Sequence, residues 1–120
     1  MIKSYKELTV WQKSYKLTLL VYRSTKNFPK EELYGLTSQI RRAVVSIPSN
    51  IAEGYCRQRR LEYIQFLQFA FASAAELETQ LLIAKDLSYI SSRDFKESNS
   101  LLDEVLRMLN SLISKIKTSA

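Results

Sequence analysis

The 120 residues predict an all-α fold, an antiparallel up-down-up-down four-helix bundle with its second helix kinked at Pro48. Three observations carry that expectation. Leu, Ala, Glu, Lys, Gln and Arg, the good helix formers, dominate the composition. Two glycines, Gly35 and Gly54, and two prolines, Pro29 and Pro48, are too few for the many tight turns of an all-β chain. Apolar residues recur at helical spacing in successive stretches joined by short links. The length reads as one domain spanning 1–120, able to bury about two thirds of its unfolded surface without a covalent staple.

Helix one is expected from Val10 to Thr25. Thr9 is its N-cap, and Gln12 completes a capping box. Val10, Leu17, Leu20, Val21 and Ser24 form its inner side, widened by Trp11, Tyr15, Leu19 and Tyr22. Asn27-Phe28-Pro29 ends it. Helix two begins near Lys30 or Glu31, with Glu31 and Glu32 suited to a first turn, and stops at Gly54. Pro48 removes one backbone bond, yet the apolar stripe keeps its phase across it. One kinked helix is therefore expected, not two broken at Ser46–Ser49. Helix three runs from about Arg60 to Ser88 and is apolar nearly all round its middle, with Ala70, Ala72, Ser73, Ala74 and Ala75 permitting close approach. Ser91 caps helix four, with Asp94 at the third helical position. Phe95, Ser98, Leu102, Val105, Leu109, Leu112 and Ile116 form its heptad, broadened by Leu101, Leu106 and Ile113.

The segment Gln39–Arg57 stands out because it has three faces. Leu36, Ile40, Ala43, Ile47, Ile51 and Gly54 make a narrow apolar stripe. Gln39, Arg42, Ser46, Ser49, Asn50, Glu53 and Arg57 make a polar stripe beside it, mostly of short side chains. Val44, Val45, Pro48, Ala52 and Tyr55 fill the remaining flank. An apolar arc over roughly half the circumference calls for a second packing partner. The short polar side chains let another backbone approach closely. They serve either a structural hydrogen-bond network or a partner surface.

The absence of histidine excludes most zinc, haem and triad chemistry, and the single Cys56 excludes an internal disulfide. Cys56 reads as an incidental small residue near a helix end. No metal or cofactor is expected, no phosphate-cradling glycine loop is present, and Glu76 and Glu78, or Asp103 and Glu104, are too close in sequence to face one another on a helix. MIKSYKEL is charged by its third residue, unlike a signal peptide, and no apolar run is long enough to span a membrane. A cytoplasmic location is the resulting expectation. Net charge is +6, and it is unevenly spread: residues 1–60 carry 12 basic and 4 acidic groups, residues 61–120 carry 6 and 8. An anionic partner or a complementary neighbour follows from that imbalance; mere solubility is the plain alternative.

The run Leu8-x-Val10-Trp11-Gln12-Lys13, then Phe28-Pro29-x-x-Glu32-x-Tyr34-Gly35-Leu36, then Gln39-x-Arg41-Arg42-Ala43, and above all Ser46-Ile47-Pro48-Ser49-Asn50-Ile51-Ala52-Glu53-Gly54, resembles the bacterial four-helix-bundle proteins encoded by intervening sequences inside 23S ribosomal RNA genes. The chain is also similar to the accessory variability proteins of diversity-generating retroelements. Glu62-Tyr63-Ile64-Gln65-Phe66-Leu67 and Ala75 to Leu81 fit the same pattern. Cys56 and Ala72 stand where such proteins often have Gly, and Arg59 where they often have Ser or Thr, which leaves helix three without a side-chain cap. The resemblance implies a ring-like homo-oligomer, pentameric in some relatives, without enzymatic activity. The retroelement relatives bind nucleic acid and a reverse transcriptase.

The residues expected to contact RNA or DNA are Arg41, Arg42, Arg57, Arg59 and Arg60, whose planar forks suit phosphate, supported by Lys13, Lys16, Arg23 and Lys26 of helix one. Arg42 has a second reading, an ion pair with Glu53 or a carboxylate of helix three. Gln39, Ser46, Pro48, Ser49, Asn50, Glu53 and Gly54 form the family motif and candidate network. Trp11, Tyr15 and Tyr22 read as packing residues more than as base stackers. The expected function is a non-catalytic homo-oligomer that binds nucleic acid or a nucleoprotein partner through its basic half. The rival is an assembly scaffold whose charge only solubilises.

Overall fold

In a computed structural model, which describes residues 3–119, four long helices surround one apolar core: α1 (Thr9–Thr25), α2 (Leu36–Tyr55), α3 (Arg60–Asp86) and α4 (Ser92–Lys117). The whole measures 49 × 24 × 21 Å. α2 packs against α1 and α3, and α4 closes the circuit against α3 and α1. No Cα of α1 comes within 8 Å of one in α3, nor any of α2 within 8 Å of one in α4, so each of these pairs lies on a diagonal. Ser46 meets Ser73 and Gly54 meets Phe66, so positions advancing along α2 face positions receding along α3.

The core follows the periodicity. Ile40, Ala43, Ile47, Ile51 and Gly54 of α2 are buried, as are Val10, Leu17, Leu20, Val21 and Ser24 of α1. In α4, Ser98, Leu102, Val105 and Leu109 are buried, together with Leu101 and Ile113, while Phe95, Leu112 and Ile116 pack at the margin. Burying each such Leu or Ile contributes roughly 1.5–3 kcal/mol. The residues expected to widen the inner side of α1 behave differently: Tyr15, Leu19 and Tyr22 stay exposed.

Several boundaries depart from the sequence reading. Thr9 is not the N-cap of α1. Leu8 occupies that position without a side-chain bond, because a short 3-10 turn at Tyr5–Glu7 feeds directly into the helix. Gln12 Nε2 donates to Lys6 O of that turn at 2.8 Å rather than reaching back to Thr9. Lys30–Glu32 forms its own 3-10 turn, and α2 starts only at Leu36. Glu32 Oε1 accepts a hydrogen bond from Leu36 N at 3.0 Å, capping α2 from four residues upstream; it passes over Gly35, where a Cβ would stand 2.8 Å from that oxygen.

α2 continues through Pro48 to Tyr55 in one piece. The proline leaves Val44 O without its helical donor. Thr18 Oγ1 on α1 lies 3.3 Å from that carbonyl, and 2.8 Å from Ser14 O. α3 ends at Asp86, two residues early, in a left-handed turn. Ser88 takes φ 62°, Tyr89 N donates to Ala84 O at 2.8 Å and Ser88 N to Lys85 O at 3.0 Å. Ser91 Oγ then accepts from Asp94 N at 3.1 Å and caps α4, as its sequence predicts. Arg59 precedes α3 with no side-chain cap, also as expected.

Candidate nucleic-acid interface

The polar stripe of α2 faces α3. Ser46 Oγ and Ser73 Oγ are 2.6 Å apart across the two helices. Asn50 Nδ2 donates to Ser46 O at 2.8 Å and to Ser46 Oγ at 3.0 Å. The close approach that short side chains permit is therefore used by the chain's own third helix. Gln39, Arg42, Ser46, Ser73 and Glu76 line a polar crevice of about 410 Å³ above this network. Gly54 lies beneath Tyr63 and Phe66, so the end of α2 presses directly on the start of α3. Burial, with Tyr55 alongside, pushes the Tyr63 phenol up to about 12.

Ser49 and Pro48 belong instead to a second groove, of about 320 Å³, between α1 and α2. Its walls are Tyr5, Trp11, Tyr15, Leu19 and Val45. Trp11 stacks on Tyr15 with ring centroids 5.1 Å apart and meets Tyr5 edge-on at 5.4 Å. A third groove, of about 630 Å³, lies elsewhere, between residues 7–10 and the second half of α4, with Glu104, Arg107 and Lys115 among its walls.

The nine cations singled out in the sequence divide into two groups. Arg41 is turned inward: its Nε donates to Thr25 Oγ1 at 2.8 Å and its Nη2 to Tyr22 O at 3.3 Å, with the guanidinium 4.7 Å above the Tyr22 ring. It thereby satisfies the C-terminal turn of α1. Arg57 pairs with Glu53 at 2.9 Å and Glu62 at 3.6 Å and lies 4.8 Å from the Phe66 ring centre. Arg59 reaches the same Glu62 at 3.8 Å. Arg60 Nη1 donates to Ser119 O at 2.7 Å and Ile116 O at 3.2 Å, serving the last carbonyls of α4. Lys13 pairs with Glu104 at 3.0 Å. Four of these close seams within the bundle, whereas Arg59, 84% exposed, makes only a local contact at the start of α3.

Arg42, Lys16, Arg23 and Lys26 are exposed and make no ion pair or hydrogen bond through their side chains. The alternative pairing of Arg42 with Glu53 or a helix-three carboxylate does not form, and Glu53 goes to Arg57. Lys16, Arg23 and Lys26 share the outer side of α1 with exposed Tyr15, Leu19 and Tyr22. Sequence reasoning missed Glu62 as the acceptor of two arginines, Arg60 as the cap of α4, and Ser73 as the partner of Ser46. The spacing of Arg59 and Glu62, three apart at the start of α3, hinted at the first, and the short side chains of α2 and α3 at the last. Among the described residues no group of His, Cys, Asp and Glu could hold a metal ion, and no helix is long and apolar enough to cross a membrane.

The fold recurs in a crystal structure of a protein with unknown function from the S23 ribosomal protein family of Bacteroides thetaiotaomicron. The TM-score is 0.82 and the identity 26%, over 88% of this chain and 98% of that one. No curated protein matches the chain. The sequence pattern of a further family, described as the 23S rRNA-intervening sequence protein, matches residues 6–111, from the turn before α1 into the second half of α4. The chain belongs to the 23S rRNA-intervening sequence protein family.

Proposed function

We propose that this protein is a non-catalytic subunit that works by association, packing against copies of itself through helix faces that its own bundle leaves uncovered. What supports the reading is an unequal distribution of exposed apolar groups. Tyr15, Leu19 and Val45 are 50%, 53% and 39% exposed on α1 and α2; Phe69, Leu82 and Ile83 are 47%, 45% and 44% exposed on α3. The outer side of α4 instead presents Lys96, Asp103, Arg107, Asn110 and Ser114. Large apolar side chains left exposed on two faces of the bundle, beside a wet one, are the kind of surface that takes a partner. A ring-like assembly, pentameric if the resemblance extends so far, is the form proposed. Sedimentation velocity across a dilution series tests this. A multi-subunit species that persists on dilution is expected, and a single subunit at every concentration overturns the reading.

A second reading, contact with RNA, DNA or a nucleoprotein such as a reverse transcriptase, has its own observation: four of the nine candidate cations, Arg42, Lys16, Arg23 and Lys26, carry no internal partner. Repeated around an assembly, those that its subunit contacts leave open would bind multivalently. The family's description makes 23S ribosomal RNA the natural first probe. Affinity measured over a salt series should fall with a logarithmic slope of about 0.7–0.9 for each phosphate neutralised. A weak, salt-independent response, unchanged by Arg42→Glu, would leave the assembly scaffold alone.

A further inference from the structure

We infer that the outer face of α1 in one copy packs against the outer face of α3 in the next, head to tail. The inference rests on the self-association reading and names the two surfaces that meet.

Both faces carry the spacing of helices that lie side by side. On α1 the exposed residues Tyr15, Leu19, Tyr22 and Lys26 are four, three and four apart. On α3 the exposed residues Phe69, Ala72, Glu76, Thr79, Ile83 and Asp86 are three, four, three, four and three apart. Neither row belongs to the core; Tyr15 and Tyr22 touch Trp11 and Arg41 of their own bundle, and the rest of both rows is left to solvent.

The charges on the two faces are opposite. The α1 segment Thr9–Thr25 contains no Asp or Glu, and its cations Lys16 and Arg23, with Lys26 just beyond, are unpaired. Residues 61–84 contain no Lys or Arg at all. Glu62 on that helix is already taken by Arg57 and Arg59, but Glu76 and Asp86 on the outer row form no ion pair. Two α1 faces brought together would oppose cations, and two α3 faces would oppose carboxylates. Only the mixed pairing is attractive. Because α1 and α3 lie on a diagonal, their outer faces look away from each other. A contact between unlike faces on opposite sides is heterologous, and each added copy offers a fresh face to the next. In this arrangement Lys16, Arg23 and Lys26 meet the neighbour's acids, and Arg42 is the cation left for nucleic acid.

Two variants test the pairing. Leu19→Gln with Tyr22→Gln blunts the α1 face; Phe69→Gln with Ile83→Gln blunts the α3 face. All four residues are exposed, and glutamine keeps helix propensity. Each variant should sediment as a single subunit where the wild type is assembled, and an equimolar mixture of the two should form a one-to-one pair and nothing larger. Glu76→Lys with Asp86→Lys, which removes no apolar group, should weaken self-association at least tenfold at low salt. The inference is overturned if either blunted variant still assembles to wild-type size. It is equally overturned if the mixture stays unpaired with both far-UV spectra native, or if the lysine variant assembles undiminished. A wild type that is itself a single subunit would overturn the self-association reading as well, a result distinct from these.

Discussion

Gly54→Ala probes the close approach of α2 to α3. A Cβ at this position would stand 2.7 Å from Phe66 Cβ, 3.2 Å from Tyr63 Cδ1 and 3.3 Å from Tyr63 O. Carbon atoms pack favourably at about 3.5–4.0 Å, so α2 and α3 must part by nearly 1 Å at this point. No rotamer change relieves the clash, because Phe66 Cβ is fixed to its backbone. Overpacking of this kind costs about 1–3 kcal/mol. Alanine returns at most about 1 kcal/mol of helix propensity, and less here because Gly54 is the penultimate residue of α2. The net expectation is a loss of about 1–2 kcal/mol, or roughly 4–8 °C in Tm for a chain of this size. Thermal unfolding followed by far-UV circular dichroism, at one fixed protein concentration so that any association is matched, measures it. A Gly54→Ala protein melting at or above the wild-type temperature would refute the reasoning, and with it the view that glycine is present to admit Phe66.

Three other perturbations have defined outcomes. Thr18→Val removes the hydroxyl shared between Ser14 O and the carbonyl that Pro48 orphans, and urea denaturation should show a loss of about 1 kcal/mol, part of which disappears in a Pro48→Ala background. Ser91→Ala deletes the cap of α4 and should cost about 1 kcal/mol by the same measurement, whereas Thr9→Ala, at a position that caps nothing, should cost a few tenths of that. Tyr63 has a folded pKa near 12 against an ordinary value of 10.0, so the folded state holds its proton more tightly than the unfolded chain. Its contribution is complete below pH 10 and is lost as pH rises toward 12. Tyr63→Phe should therefore show a shallower fall in stability than wild type over that interval.

The four helices were legible because their evidence is local: the apolar stripe of α2 and the heptad of α4 bury the residues that their spacing selects. The boundaries that went astray depend on side chains acting at a distance along the chain. Glu32 looked like a first-turn acid, but it caps α2 across Gly35 and leaves a separate turn behind it. Thr9 had the composition of a cap, yet the turn at Tyr5–Glu7 supplied another route into α1. The candidate site was legible only as an excess of charge. Arg60 finds its acceptors at the far end of the chain, at Ile116 and Ser119, and Lys13 finds Glu104; no spacing rule relates such positions. The short side chains of α2 did signal a close neighbour, and Ser73 is that neighbour.

Ser88, the described non-glycine residue with positive φ, has a consequence for which substitutions this link tolerates. A left-handed serine carries about 1 kcal/mol of steric penalty, and glycine would remove it. Glycine would also loosen the unfolded chain by a similar amount, so the exchange should nearly cancel. Position 88 is thus free to drift among serine, asparagine and glycine over evolutionary time. Valine or isoleucine there would instead store strain in the elbow, because a branched Cβ tolerates that backbone angle worst.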